Sequence, residues 1–581
     1  MNKRYSLFGL IFGLLFFNSC NLNNLPLDSI SPNTFFNTEN DLRLYTNSFY
    51  NMLPSAEDVY NEKVDNVVST NLADELRGTR VVPTSGGGWT WTNLRNINYF
   101  LMNSGKCNDP KAVAKYNGVA KFFRAYFYFQ MVSRFGDVPW YSKPIDPNDE
   151  MYLTKPRDPR VLVMDSVLAD INYAITKLGT DRRVNEITKW TALALKSRIC
   201  LFEGTFRKYH PEYSLPNADK FLDEAIASAD EIMKTGPYKI YTDKPETAYL
   251  KLFSTIDANN DEIILARDFS DALQVYHNLN YYTMTASYGR PGLEKKLVNS
   301  YLMKDGTRFT DIPGYDKMVF YAEVQNRDPR LSQTIRTPGY ARIGETTKLV
   351  QEFGATVTGY QLIKFVAERK WDTFGKSAND MPIFRFAEVL LNFAEAKAER
   401  GTLVQADLDR SIKLVRDRIA MPNINLIQAN GTPDPYQIEM NTQVKGVNLG
   451  VILEIRRERR IELVMESFRW NDILRWKEGS ILTKQFKGMY FPGLGSFDLD
   501  SDGVVDVVIY EGTKPTTNNV QLLKLNGDIT LENGNKGGNI LINPNISRNF
   551  DENKDYFYPI PISERLLNPN LTQNTGWNDG L

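Results

Sequence analysis

Along most of the chain, apolar residues recur at three- and four-residue spacing, the pattern of helices that bury one face or more. In TENDLRLYTNSFYNML, Thr38 stands as an N-cap with Asp41 three residues on, and Leu42, Tyr45 and Phe49 share a face. The segment AVAKYNGVAKFFRAYFYFQMVSRFG, residues 112–136, is apolar nearly all round and stops at Gly136, so it predicts a helix buried on several sides. The same spacing predicts helices over 158–178, 188–204, 217–235, 382–400, 405–419 and 449–477. Several are neighbours joined by short turns, which favours helical hairpins stacked on one another. Two stretches break this rhythm. Residues 238–380 mix short β-like pieces such as EIILAR with loops rich in Tyr, Asn, Gly and Thr, and residues 481–581 are loop-rich with brief strands such as VVDVVIY. The expected fold class is mainly α: helix pairs over 40–237 and 381–480 carry an irregular, loop-rich region with short β-strands.

The N-terminus follows a different pattern. In MNKRYSLFGLIFGLLFFNSCNLNNL, Lys3 and Arg4 precede a mostly apolar run from Tyr5 to Phe17, and the small Ser19 precedes Cys20. That core is too short to span a bilayer and has the layout of a secretory signal. A cysteine just after the cleavage point predicts a bacterial lipoprotein, with a signal over 1–19, lipidation of Cys20, a tether over 20–39 and a body over 40–581. Phe17 and Asn18 depart from the Leu and small residue preferred before such a cysteine, and an ordinary secretory signal is the alternative. Acyl chains, at about 0.8 kcal/mol per buried CH2, anchor a protein without spanning the membrane.

Charge and cysteine usage narrow the partners. Without residues 1–19, which carry Lys3 and Arg4 of the 69 basic residues and none of the 70 acidic ones, the net charge is −3. That balance disfavours general nucleic-acid binding. Cys107 and Cys200 alone remain beyond Cys20, no disulfide scaffold for this length; a bridge between them is open, and Cys200 reads as a small buried hydrophobe. With two histidines, His210 and His277, a zinc or iron centre is disfavoured. Aromatic residues make 12% of the chain, and some stand in polar loops where burial explains them poorly.

Several blocks together resemble the SusD/RagB family of Bacteroidetes nutrient-uptake lipoproteins. They are PLDSISPNTFFNTENDLRLYTNSFYNML, FFRAYFYFQMVSRFGDVPW, WTALALKSRICLFEG, NRDPRL, MPIFRFAEVLLNFAEAKAERG, IRRERRIELVMESFRWNDILRW and YPIPISERLLNPNLTQNTGW. They run in family order across nearly the whole chain. The resemblance implies tetratricopeptide-like helix pairs holding a variable ligand-binding face, here about 238–380. It also implies non-catalytic capture of oligosaccharide or polysaccharide at the outer membrane, on the cell exterior, and delivery to a TonB-dependent transporter of the SusC type. Capture of peptides is the second reading. A surface glycoside hydrolase is a third, and a transporter cap with no ligand of its own a fourth.

A glycan site wants exposed rings for stacking and planar polar groups for paired hydrogen bonds. In ELRGTRVVPTSGGGWTWTNLRNINYF the candidates are Arg77, Arg80, Trp89, Trp91 and Asn96. The resemblance maps a stacking Trp to Trp91 and its Asn partner to Asn96, while Trp91 can equally begin a buried helix. Trp89, next to Gly86-Gly87-Gly88, is expected to be exposed. In VYHNLNYYTMTASYGRPGLEK the candidates are Tyr276, Tyr281, Tyr282 and Tyr288.

Two acidic patterns need separate readings. Glu454, Glu458, Glu462 and Glu466 recur every four residues with arginines between them, as Arg385 stands near Glu388 and Glu395. A hydrolase needs two carboxylates flanking one bond, whereas acids on one helix beside arginines read as ionised salt bridges. FDLDSDGVVDVVIYEG sets Asp498, Asp500, Asp502, Gly503 and Asp506 at positions 1, 3, 5, 6 and 9 of a calcium loop, but Ile509 replaces the Glu at position 12. No cofactor is required on this reading; the loop allows a structural calcium, with a solvated turn as its alternative.

Overall fold

The computed structural model describes residues 35–60 and 64–581; Cys20, the signal and most of the tether lie outside them. Helix α1 (Glu39–Asn47) opens on the expected capping box, Thr38 Oγ1 accepting from the Asp41 N–H at 3.2 Å and the Asp41 carboxylate from the Thr38 N–H at 2.9 Å. The short α2 (Ala56–Tyr60) follows, then α3 (Thr92–Asn103) and the 26-residue α4 (Pro110–Phe135), which ends at Gly136 in a positive-φ conformation. Helices α5 (Arg160–Lys177), α6 (Lys189–Tyr209), α7 (Ala218–Thr235), α8 (Leu279–Met284), α9 (Phe386–Glu399), α10 (Leu449–Glu462) and α11 (Arg469–Trp476) complete the frame.

Their stacking is sequential. Helix α4 lies against α5, α5 against α6, α6 against α7, α7 against α9, and α9 against α10. The apolar faces that pattern the sequence meet along this stack: Phe122, Phe123, Val163, Ile171, Leu193, Leu195, Phe221 and Leu390 are all buried. The strands are short and local. β1 (Val67–Val68) pairs with β3 (Gly292–Leu293), β2 (Ile263–Arg267) with β4 (Met381–Arg385), and β5 (Phe486–Phe491) with β9 (Gly538–Ile542). A three-stranded sheet joins β6 (Gly495–Phe497), β7 (Val507–Tyr510) and β8 (Gln521–Lys524). The fold is thus mainly α, with small sheets and loops carried on stacked helix pairs.

Three expected helices differ. The stretch 382–400 begins as β4, pairing antiparallel with EIILAR before α9 starts at Phe386. The stretch 405–419 divides into Gln405–Asp409 and Ile412–Asp417. The stretch 449–477 is two helices, because Met465 and Ser467 adopt φ of 60° and 65° between them. That break brings Glu466 onto Lys364 and Arg385, each at 2.7 Å. Cys107 and Cys200 are both buried free thiols, so no bridge links them, and burial pushes the Cys200 thiol up to about 12. Among the described residues no helix is long and apolar enough to cross a membrane.

Candidate functional site

The carboxylate ladder of α10 settles into ion pairs. Glu458 accepts from Arg330 at 2.6 Å and Arg416 at 2.8 Å, and Glu462 from Arg385 at 2.7 Å, Arg330 at 3.0 Å and Arg418. Burial raises both carboxyls, but the guanidiniums outweigh it and hold Glu458 below the usual range and Glu462 well below it. Glu388 is held by Arg198 at 2.7 Å and Glu395 by Arg475 at 2.5 Å. Glu454 departs from the expectation that every acid here is held ionised. Burial and the neighbouring Glu458 push it up to about 7, although Arg416 and Arg308 oppose this. Its partner Arg457, 2.9 Å away, is itself pushed down to about 9 by burial beside Arg416 and Arg308. Glu454 lines a cavity of about 490 Å³ together with Asp305 and Asp311, while Glu458 and Glu462 of the ladder are held in ion pairs.

Concave surface with rings lies elsewhere. A groove of about 550 Å³ runs between the start of α3, the second half of α4, the start of α11 and the C-terminal segment. Phe127 and Met131 form its buried floor, Thr90, Asn93 and Gln130 its exposed rim, and Trp470, Asn471, Arg134 and Tyr558 its far wall. The rings of Trp470 and Tyr558 lie 6.4 Å apart. Tyr558 is held by two cations, the Arg134 guanidinium at 3.6 Å from its ring and Arg80 at 4.6 Å, and its hydroxyl donates to Glu75 at 2.7 Å. Trp470 is therefore the wall's freer ring for stacking.

A second set of rings adjoins it through α2. Asp58 of α2 lines the groove, while its neighbour Glu57 accepts from the Tyr282 hydroxyl at 2.9 Å. Tyr282 is buried and stacks on Tyr288 at 3.8 Å and 10°. Tyr281 is half-buried, with Phe374 edge-on at 5.3 Å and 62% exposed. Tyr276 is half-buried, its hydroxyl donating to Asp271 at 2.6 Å. Tyr281, Tyr288 and Phe374 are the accessible rings of this platform.

Three expected site residues sit elsewhere than expected. Trp89 is only 5% exposed, packed on Trp91 at 5.4 Å and Phe135 at 4.9 Å. The glycines turn it inward: a Cβ on Gly88 would stand 2.8 Å from Arg134 Nε, which donates to the Gly87 carbonyl at 3.1 Å. Arg80 has a side chain 6% exposed, salt-bridged to Asp555 at 2.8 Å and spread over Tyr558, so it braces the groove from behind. Tyr282 is likewise backing for Tyr288. Trp91 is half-buried at the N-cap of α3, against Tyr141 and Phe127, while Asn96 is exposed one turn beyond the rim residue Asn93. Arg77 is exposed and does not line the groove. Trp470, Tyr558 and Phe374 were not among the expected site residues, although the first two fall in the blocks RWNDILRW and YPIPIS.

The acidic loop is a turn before β7. Asp498, Asp500 and Asp506 can each offer an oxygen within 4.8 Å of the others, and Asp502 does not join them. Asp498 accepts the N–H groups of Ser501 at 2.6 Å and Gly503 at 2.8 Å, and Asp506 that of Leu499 at 2.7 Å. Ile509, at the missing ligand position, is buried in β7.

Known proteins share this architecture. The signature of the SusD family matches residues 261–577, and one described as starch-binding associating with outer membrane matches residues 29–199. SusD-like protein P2 of Formosa agariphila is 22% identical over 512 residues, 82% of this chain and 92% of its own. SusD-like protein P38 of the same organism is 23% identical over 495 residues, 79% of this chain and 88% of its own. A SusD-like protein of Bacteroides fragilis superposes with a TM-score of 0.69 at 20% identity, covering 95% of this chain and 100% of that one. A SusD-like carbohydrate-binding protein of the same species gives 0.67 at 21% identity, covering 93% and 100%. At these identities the structural likeness speaks for the fold.

Proposed function

Because this chain belongs to the SusD family, we propose that it binds oligosaccharide or polysaccharide at the outer membrane and passes it to a TonB-dependent transporter of the SusC type. It is a binding protein and not an enzyme, in keeping with its family. Anchoring through acyl chains on Cys20, with the body toward the cell exterior, belongs to the same proposal and rests on the signal-like N-terminus. The outer-membrane setting draws support from the description of the signature matched by residues 29–199.

The observation that carries the reading is the groove with its adjoining ring platform. Sugars present apolar CH faces and hydroxyls together. Trp470, Tyr281, Tyr288 and Phe374 offer ring faces, while Asn93, Gln130 and Asn471 offer carboxamides that donate and accept at once. Asp58 and Arg134 line the same groove and add a carboxylate and a guanidinium to its polar contacts.

The test is calorimetric titration and affinity electrophoresis against a panel of polysaccharides and peptides, with Trp470→Ala and Tyr281→Ala alongside. One glycan class is expected to bind, and each substitution to cost about 1 kcal/mol, roughly five-fold in affinity. Binding of peptides alone would replace the glycan reading with the peptide one. Glycan binding untouched by both substitutions would move the site away from this groove.

A further inference from the structure

A second cavity, about 430 Å³, opens behind the C-terminal segment and shares no lining residue with the groove. Adjacent residues divide between the two: Tyr558 lines the groove and Phe557 this cavity. One side carries rings. Tyr213, 36% exposed, and Phe557 have centroids 5.5 Å apart at 52°. Phe206, itself in the lining, lies nearly parallel to Tyr213 at 9° and 5.9 Å.

The lining also carries a cation, Arg157, that forms no ion pair among the described residues. Arg157 donates from Nε to the Asp137 carbonyl at 2.8 Å, from Nη1 to the Thr572 carbonyl at 2.9 Å, and from Nη2 to the Phe135 carbonyl at 3.3 Å and Asn574 Oδ1 at 2.7 Å. All four acceptors are neutral, and one Nη1 N–H is left over. Among the described residues no carboxylate comes within the 4 Å of an ion pair. Its neighbour Arg160 is different, being held by Glu203 at 2.7 Å. Half-buried, Arg157 has its pKa lowered by burial, with Asp137 opposing. Lys554 is the second cationic residue of the lining, its ammonium 3.8 Å from Asp555 and 4.6 Å from the centre of the Trp577 ring. Asp137 is the lining's one acid, and its Oδ1 already accepts the Arg160 N–H at 2.7 Å. Thr572, Thr575 and Asn553 stand exposed at the rim.

We infer that this cavity is a second saccharide site, selective for a hexuronic acid residue. The complement of these walls is a flat ring with an apolar CH face, a carboxylate and vicinal hydroxyls. The carboxylate would meet Arg157 Nη1 and Lys554, the ring face Tyr213 and Phe557, and the hydroxyls the rim side chains. A neutral sugar would leave the guanidinium uncompensated, and a small carboxylate such as acetate would leave the rings uncovered.

The detergent-solubilised full chain is titrated calorimetrically with digalacturonate, with α-1,4-galactobiose as its neutral twin and acetate as a bare carboxylate. Digalacturonate is expected to bind at least ten-fold more tightly than either control. Tyr213→Ala and Lys554→Gln should each weaken it about five-fold, while Trp470→Ala, in the groove, leaves it unchanged. Arg157 also ties Asn574 and Thr572 to the α4 terminus, so Arg157→Gln can unfold that corner; the two surface substitutions carry the test. Equal binding of galactobiose, loss in Trp470→Ala with Tyr213→Ala and Lys554→Gln silent, or no heat at millimolar digalacturonate would each overturn the inference. The groove's own glycan binding is read separately, through Trp470→Ala with neutral polysaccharides, so either site can fail alone.

Discussion

The two tryptophans of WTWTN and the one in RWNDILRW differ in what surrounds them, and the difference decides what substitution does. Trp89 is core, so Trp89→Ala should cost about 3–5 kcal/mol in urea unfolding through the cavity it leaves. Trp470, half-buried on the groove wall, should lose affinity before stability. His277 supplies a pH dependence. Its Nδ1 accepts the Leu279 N–H at 3.1 Å and its Nε2 faces the Asn379 carbonyl at 2.8 Å, a neutral arrangement that burial protects by lowering the pKa from 6.5 to about 4. With the folded pKa below the unfolded one, the unfolded chain takes the proton first. Stability is then whole above pH 6.5 and falls as pH drops toward 4, by about 1.4 kcal/mol per pH unit at the steepest. Between pH 6.5 and 5 the chain should lose about 1.6 kcal/mol more than a His277→Gln variant. Parallel pH profiles for the two would show that the imidazole is not buried neutral.

At the scale of elements, α10 is where charge and architecture meet. Glu462 pairs with Arg330, Arg385 and Arg418 at once, residues from three other segments. Glu462→Gln leaves buried guanidiniums undercompensated and should cost about 3–5 kcal/mol, read as a lower urea midpoint at unchanged slope. The turn before β7 behaves differently. Backbone N–H groups bond Asp498 and Asp506, while Asp500 Oδ1 is buried without a partner; a melting temperature unchanged by EDTA would mean that the backbone closes the turn, and a drop of several degrees that a bound cation does. Element existence was legible because periodicity is local: the capping box at Thr38, the stop at Gly136 and the strands EIILAR and VVIY all fall where the pattern sets them. The break after α10 was not legible. There Glu466 pairs with Lys364 and Arg385, 102 and 81 residues upstream, partners that no local pattern announces. The inward turn of Trp89 has the same origin, since nothing near Gly88 announces that Arg134 will press against it.

The groove belongs to no element. Asp58, Thr90, Arg134, Trp470 and Tyr558 come from five separated stretches, and Arg80 reaches Asp555 to hold the last of them in place. A reading of blocks along the chain finds Trp470 and Tyr558 as members of family segments but cannot bring them face to face. Their meeting depends on the whole helical stack, since α11 packs on α6 and the C-terminal segment hydrogen-bonds to the end of α4 through Tyr558 N–H and Arg134 O at 2.8 Å. If the site is a product of the whole fold, ligand and fold must be coupled over the whole chain. Calorimetric unfolding of the full chain should then show one main transition, which a glycan at a hundred times its Kd raises by about 2.7 kcal/mol of stability. Two separate transitions, only one of them moved by ligand, would mean that the N-terminal helices and the C-terminal segment fold as independent units and that the groove is assembled by docking. In that case Arg80→Ala would abolish glycan binding while leaving both transitions in place. In the coupled case it should lower the single transition and the affinity together, because the same salt bridge that closes the molecule sets the wall of its groove.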